Sequence, residues 1–214
     1  MQRYNFKEFL QRFVDEPDKT EFMILTGGLP TVSEEGPWIA GGALRRTLIG
    51  QKLDADIDYF FKNKEQMEQF CSEMEYLNFV ESSRTDNCIT FLGRPVIGED
   101  TYNDRYIENK EQIKVQAIII GYYDKLEDVL DSFDFTITQF GYDGKELVCG
   151  EYSLWDLARR RLAIHRLTYG VSTLRRLIKY SRQGFTACGG VLADLLQKTL
   201  DNPATAQTEV QYVD

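Results

Sequence analysis

A glycine pair, two arginines and three aspartates within residues 41–58 have types and spacing that suit phosphate and metal chemistry. Gly41-Gly42 sits between a short apolar run, Trp38-Ile39-Ala40, and a helical stretch over 43–49 that Gly50 stops. Glycine lets the backbone approach a ligand closely, and the start of the following helix offers unpaired N–H groups to an anion. Arg45 and Arg46 add two guanidinium groups that can meet phosphate. Asp54, Asp56 and Asp58 then alternate with Ala55 and Ile57. A strand's period of two puts these acids on one face, about 6.6–6.8 Å apart along the strand. Like charges so placed repel unless neutralised. Such a row suits a hard cation, Mg²⁺ or Mn²⁺, which takes one or two carboxylates plus substrate phosphates. The opposite face, Ile57, Tyr59 and Phe61, is apolar and expected in the core. The bland alternatives are a tight turn with solvated arginines and the solvated edge of a half-buried strand.

A second charged feature lies near the other end. Residues 155–182 hold eight basic side chains (Arg159, Arg160, Arg161, Arg166, Arg175, Arg176, Lys179 and Arg182) against the single acid Asp156, a local charge of +7. The whole chain carries −9, so the remainder carries −16. Two poles of opposite sign point to a cationic site for phosphate or nucleic acid, or to a structural network in which the arginines pair with the acidic remainder. Arg175, Lys179 and Arg182 fall on one helix face at i, i+4, i+7. His165 stands alone among arginines and is expected at a helix surface. Ser132 and the four cysteines have no histidine partner for nucleophilic catalysis.

The elements that must hold these residues are legible as patterns. Phe6, Phe9, Leu10 and Phe13 space an amphipathic first helix. Residues 15–37, rich in Pro, Gly, Asp and Glu, read as irregular. Strands are expected over 38–40, 56–61, 87–92 and 113–120, with a long polar loop over 93–110. Asn63 and Gln66 form a capping box ahead of the stripe Met67, Phe70, Cys71, Met74, and Asp124 with Glu127 reads as another. Residues 133–140 are a β-rich run, and Tyr142-Asp143-Gly144-Lys145 signals a hairpin into 147–149. After Glu151 the character turns helical. One helix is expected from Ser153 to about residue 165. A second is capped by Ser172 with the stripe Leu174, Leu177, Ile178, and a third carries Leu192, Leu195, Leu196 and Leu200. The fold class is α+β, a sheet module over 1–150 with a small helical cap over 151–201 and a frayed tail over 202–214. At 214 residues and 43% apolar content the chain supports a full core. It shows no run long enough for a membrane span and no signal-peptide pattern, and its scattered cysteines read as buried free thiols in a reducing cytosol.

Gly41-Gly42-Ala43-Leu44-Arg45-Arg46-Thr47-Leu48-Ile49-Gly50 followed by Asp56-Ile57-Asp58-Tyr59-Phe60-Phe61 resembles the head signature of the DNA polymerase beta nucleotidyltransferase superfamily. The nearest branch is the CCA-adding enzymes and bacterial poly(A) polymerases, which carry G-G-x-V-R-D-x-L-L-G, four residues, then D-x-D. Five residues separate Gly50 from Asp56 here, and Arg46 stands where those enzymes have an acid. Residues 174–185 are similar to the L-R-x-x-R-F-x-x-R-x-x-F helix of the same enzymes. The base-selecting E-D-x-x-R motif is not recognisable. The pattern over 116–135 resembles compact phage and large-virus proteins.

The resemblance implies a nucleotidyltransferase-like mixed sheet with flanking helices. It implies metal-dependent transfer of a nucleoside monophosphate from an NTP to an acceptor hydroxyl, with release of pyrophosphate. Asp56 and Asp58 would hold Mg²⁺ or Mn²⁺. Gly41, Gly42, Arg45 and Arg46 would meet the triphosphate, and Arg175, Lys179 and Arg182 the nucleotide or an RNA backbone. Many relatives draw a third carboxylate from a neighbouring strand. Strand 113–120 offers only Lys114 and Gln116 there, so Asp134 is the substitute. An acid between Phe133 and Phe135 needs a metal or donor partner. The alternative for Asp134 is a cap or a pair with a helical arginine. The acceptor stays open among an RNA 3′ end, a protein hydroxyl and a small molecule. The expected compartment is the cytoplasm, that of the host for a viral member. The rival from another class is a non-catalytic binding or structural module of the same fold.

Overall fold

The computed structural model describes residues 1–53, 56–100, 105–109 and 111–201. The chain opens with β1 (Gln2–Asn5), α1 (Phe6–Leu10), a 3-10 turn at Pro17–Lys19 and α2 (Glu21–Gly27). β2 (Trp38–Ala40) leads through Gly41 into α3 (Gly42–Leu48), and β3 (Ile57–Phe60) leads into α4 (Lys64–Tyr76). Then come β4 (Val80–Arg84), β5 (Cys88–Gly93), the ribbon β6 (Val96–Asp100) and β7 (Arg105–Glu108), and β8 (Ile113–Ile118). α5 (Leu126–Asp131), a 3-10 turn at Thr136–Thr138 and the hairpin β9 (Phe140–Tyr142) and β10 (Glu146–Cys149) follow. The cap comprises α6 (Ser153–Ala158), β11 (Arg161–Leu162), α7 (Gly170–Arg182), β12 (Thr186–Ala187) and α8 (Gly189–Asp201).

Eight strands form one mixed sheet in the order β1-β10-β9-β2-β3-β8-β5-β4, with only β3 and β8 parallel. Strand alternation sorts its side chains into two layers. Ile39, Ile57, Tyr59, Phe91, Val115 and Ala117 join the main core, to which α4 brings Met67, Phe70 and Met74. The Phe70 ring lies 4.6 Å from that of Tyr59 and 5.2 Å from that of Phe61. On the other face Trp38, Ala40 and Phe60 pack against Leu126, Val129 and Leu130 of α5. α5 touches β2, β9 and β10, while toward β3 and β8 the same face opens into a cleft lined by Asp58 and Ile118. Asp58 therefore borders a gap in the layer that covers the sheet.

The cap shares the main core. Leu162, Leu177, Tyr180, Phe185, Val191 and Leu195 belong to the same buried cluster as the sheet residues. The joint is also polar, since Thr136 Oγ1 donates to Asp156 Oδ2 at 2.8 Å with both residues buried.

Several local expectations give way to long-range partners. Residues 15–37 contain α2, whose Phe22 packs edge-on against Phe6 at 5.6 Å. Within the expected loop 93–110, β6 and β7 pair antiparallel. Asp124 and Glu127 do not cap α5: Lys125 is its N-cap, without a side-chain bond, and Glu127 pairs with Arg3 at 2.8 Å. Residues 133–140 are not one strand. Asp134 O accepts from His165 N, Phe135 bridges Ile164, and the 3-10 turn follows. α6 stops at Ala158, because Arg160 turns to positive φ and β11 pairs with β12. His165 consequently lies on a bend rather than a helix. Ser172 sits inside α7, and Tyr169 is its N-cap. The buried face of α7 is Gly170, Thr173, Leu177 and Tyr180, while Leu174 and Ile178 are 41% and 46% exposed. On α8, Leu195 is buried with Val191, whereas Leu192, Leu196 and Leu200 are exposed. All four cysteines are free thiols, but only Cys149 is buried, and Cys188 is exposed. Asp54 and the tail 202–214 lie outside the described residues.

Candidate functional site

β2 ends at Ala40, and Gly41 turns the chain with φ 93° and ψ −127°, a conformation that L side chains rarely adopt. The turn is fixed by Gly41 N donating to Phe140 O at 2.8 Å. A β-carbon added at Gly41 would stand 3.9 Å from Asp58 Oδ2 and 3.9 Å from the Phe133 ring. The glycine thus leaves open a space that has a carboxylate on one side and an aromatic ring on the other.

Asp58 lies on β3 opposite Gln116 of β8, as the parallel register dictates. Its Oδ1 is buried and has no hydrogen-bond partner. Burial, and secondarily the charge of Asp56, push its carboxyl up to about 7, while Lys179 and Lys114 pull the other way. Asp56 is half-buried, and its Oδ1 lies 3.4 Å from Lys114 Nζ. An orphaned carboxylate oxygen beside a second carboxylate fits a hard divalent cation, which would relieve both the repulsion and the missing partner. Among the described residues no three His, Cys, Asp or Glu side chains gather as a ligand set. The residues present therefore fit a metal that takes two protein carboxylates and completes its shell from substrate and water.

The cleft encloses about 660 Å³ between the sheet and the cap. Gly41, Gly42, Asp58, Tyr123 and Phe133 line it from the sheet module, and Arg166, Thr173 and Arg176 from the cap. Asp134 borders the cleft too, but Arg176 Nε donates to its Oδ2 at 2.5 Å. Asp134 is thus paired with an arginine of α7. Asp131 joins the head to the cap in the same way, accepting from Arg166 Nη2 at 2.7 Å and bonding His165 Nε2 at 3.0 Å.

The remaining site candidates are dispersed. Arg45 is 2% exposed and lies over the rings of Tyr180 (4.6 Å) and Phe185 (5.4 Å), with Nη2 donating to Gln183 Oε1 at 2.9 Å. It does not line the cleft. Arg46 reaches back to Lys52 O at 3.4 Å. Arg175, Lys179 and Arg182 are exposed, make no ion pair with a described residue, and lie off the cleft lining. The sequence reading missed Arg176 and Arg166 as cleft residues. Only the phase of α7 marks Arg176, which stands three residues after buried Thr173 and four before buried Tyr180.

A model of the Gabija anti-defense 2 family protein matches residues 1–160. The chain belongs to that family. No curated protein gives a significant match. Among solved structures, a CCA-adding enzyme complexed with CTP is similar at TM-score 0.61 and 17% identity, covering 97% of this chain and 48% of that one. The Thermotoga maritima CCA-adding enzyme complexed with tRNA gives 0.59 and 17%, with the same coverage. The Bacillus stearothermophilus CCA-adding enzyme in complex with CTP gives 0.50 and 16%, covering 81% and 41%. The chain spans about half the length of these enzymes or less. At such identities the likeness establishes the fold: this Gabija anti-defense 2 member has the mixed sheet and flanking helices of a nucleotidyltransferase head.

Proposed function

We propose that the protein transfers a nucleoside monophosphate from an NTP to an acceptor hydroxyl in the cleft, releasing pyrophosphate, and that this modification counteracts the Gabija defence system in the cytoplasm of its host. The observation that carries the reading is Asp58, a buried carboxylate with an orphaned oxygen, next to Asp56 and facing the space that Gly41 leaves open. Asp56 and Asp58 would hold Mg²⁺ or Mn²⁺, and that ion, when bound, supplies charge neutralisation at the phosphates. Gly41 and Gly42, without side chains, admit the triphosphate beside Asp58. Phe133 and Tyr123 offer apolar ring surface to the nucleoside. Arg175, Lys179 and Arg182, exposed on α7, suit a polyanionic acceptor such as RNA, and the Lys179 charge also reaches Asp58. Arg45 and Arg46 have no part in this scheme, because one is stacked beneath α7 and the other is turned toward Lys52.

The test incubates the full chain with each α-labelled NTP and Mg²⁺ or Mn²⁺, with and without bulk RNA or a host protein extract. Label should move to an acceptor and be lost in Asp56→Ala and Asp58→Ala. A specific observation favours a second reading, a non-catalytic binding protein: no third acid joins Asp56 and Asp58 among the described residues, and Asp134 is taken by Arg176. That reading predicts no NTP-linked metal binding, and no transfer with any acceptor.

A further inference from the structure

Arg176 occupies an unusual position in the cleft. Its Nε is held by Asp134, and its two Nη groups donate to no described residue. Asp134 is itself anchored in the fold. It is 9% exposed between Phe133 and Phe135, and its carbonyl accepts from the amides of His165 and Arg166 at 2.7 and 3.3 Å. A carboxylate placed to neutralise an arginine commonly takes two parallel N–H bonds from its fork. Here it takes the Nε edge alone and leaves the Nη1/Nη2 fork free on a residue that lines the cleft. The Arg176 side chain is 42% exposed and that of Asp134 11%, so the buried partner anchors and the exposed one reaches out.

We infer that Arg176 is the cation that receives phosphate oxygens of the cleft's ligand, and that Asp134 is a positioning residue that aims its fork. The ligand class is a nucleoside triphosphate, so the inference rests on the cleft of the proposed function but needs no metal and no transfer step. A planar fork binds two phosphate oxygens at once, and a lysine at the same place offers only a point charge. Asp134 then acts through Arg176 and touches neither metal nor substrate, which revises the catalytic role expected of it from the sequence.

The experiment is calorimetric binding of inorganic tripolyphosphate to the full chain in EDTA at low salt, with CTP and ATP as competitors. Arg176→Gln should weaken binding ~10-fold or more, the scale of a charge-assisted bidentate contact. Arg176→Lys should recover only part of that loss. Asp134→Ala should also weaken binding, because the fork is no longer held, and Asp134→Asn should recover part by keeping an oxygen acceptor for Nε. Melting temperatures show that each variant is folded. Both Asp134 variants lose the same negative charge, so positioning is read from the difference between them, and equal tripolyphosphate affinity in the two would overturn the inference. Wild-type binding that is indifferent to Arg176, or absent, would overturn it as well. Transfer activity with Arg176-independent binding would sink the inference alone. Arg176-dependent binding without transfer under any condition would sink only the proposed catalysis.

Discussion

In the proposed reaction Asp58 holds the metal, and its environment makes two expectations. Asp58→Asn and Asp56→Ala should each abolish transfer, read as incorporation of labelled NTP, since losing a metal ligand removes several kcal/mol of transition-state charge stabilisation. The second concerns stability without metal. In the fold the Asp58 carboxyl is raised from 3.8 to about 7. The folded state therefore retains a proton that the unfolded state has lost between those values. Stability from this source is greatest below pH 3.8 and declines as pH rises through 7. Asp58→Asn should flatten the decline, so that in EDTA the variant melts above wild type at pH 8 and close to it at pH 4. Equal melting curves at both values would mean that the carboxyl is not held protonated by its surroundings. Gly41→Ala should lose transfer with a modest loss of stability, since both the positive φ and the space beside Asp58 are compromised.

At the scale of elements, α7 separates three roles by helix phase. Its buried face carries Thr173, Leu177 and Tyr180, of which Thr173 and Tyr180 border the cleft together with Arg176, and its outer side carries Arg175, Lys179 and Arg182. Leu177→Ala should cost about 2–4 kcal/mol in chemical denaturation, the range for emptying a buried leucine site. Exchanging Arg175 and Lys179 for Glu should leave stability within about 0.5 kcal/mol, as is usual for exposed positions. If RNA is the acceptor, the log–log salt dependence of single-strand binding falls by about 0.7 per lost contact, so the double exchange should flatten it by roughly 1.4. An unchanged slope in a filter-binding titration would remove these side chains from the RNA contact. The separation depends on close packing of α7 against α8, where a β-carbon at Gly170 would meet Thr199 Oγ1 at 2.6 Å.

In the whole molecule, sheet and cap meet in one buried joint beside the cleft. Arg45 of α3 passes under α7 and lies against Tyr180, whose ring meets Phe135 at 5.6 Å, edge-on. Its Nε and Nη1 are buried without partners, and burial lowers its pKa. The guanidinium therefore contributes as packed volume and as a cation over two rings more than as a hydrogen-bond donor. Arg45→Ala should destabilise the protein by about 2–4 kcal/mol through the space it leaves. Arg45→Met should cost less than half of that, because it restores volume and removes the unsatisfied N–H groups. Metal-free tripolyphosphate affinity should survive Arg45→Met. If it falls while stability holds, Arg45 acts on phosphate and the packing account fails.

Local signals were enough to read the glycine turn, the acid–apolar alternation of β3, the Asn63 cap of α4 and the Asp143-Gly144 hairpin. Each is set by neighbours within a few residues, through turn conformation, strand period or a side chain reaching the next amide. The sequence alone therefore read the turn at Gly41-Gly42, the β-strand that carries Asp58 and the α+β class. Asp134 looked like a strand acid because its neighbours favour β structure, yet its partners are His165, Arg166 and Arg176, distant in sequence. Arg45 looked like a phosphate ligand until α7 was laid over it. The apolar stripe read on α7 was rotated from the true one, because the buried face includes Gly170 and Thr173, which hydrophobicity does not flag. Which arginine meets the cleft, which acid stays unpaired and which face of a helix is covered are decided by contacts between segments far apart in the chain. Close packing fixes those contacts, and composition and periodicity do not encode them one element at a time.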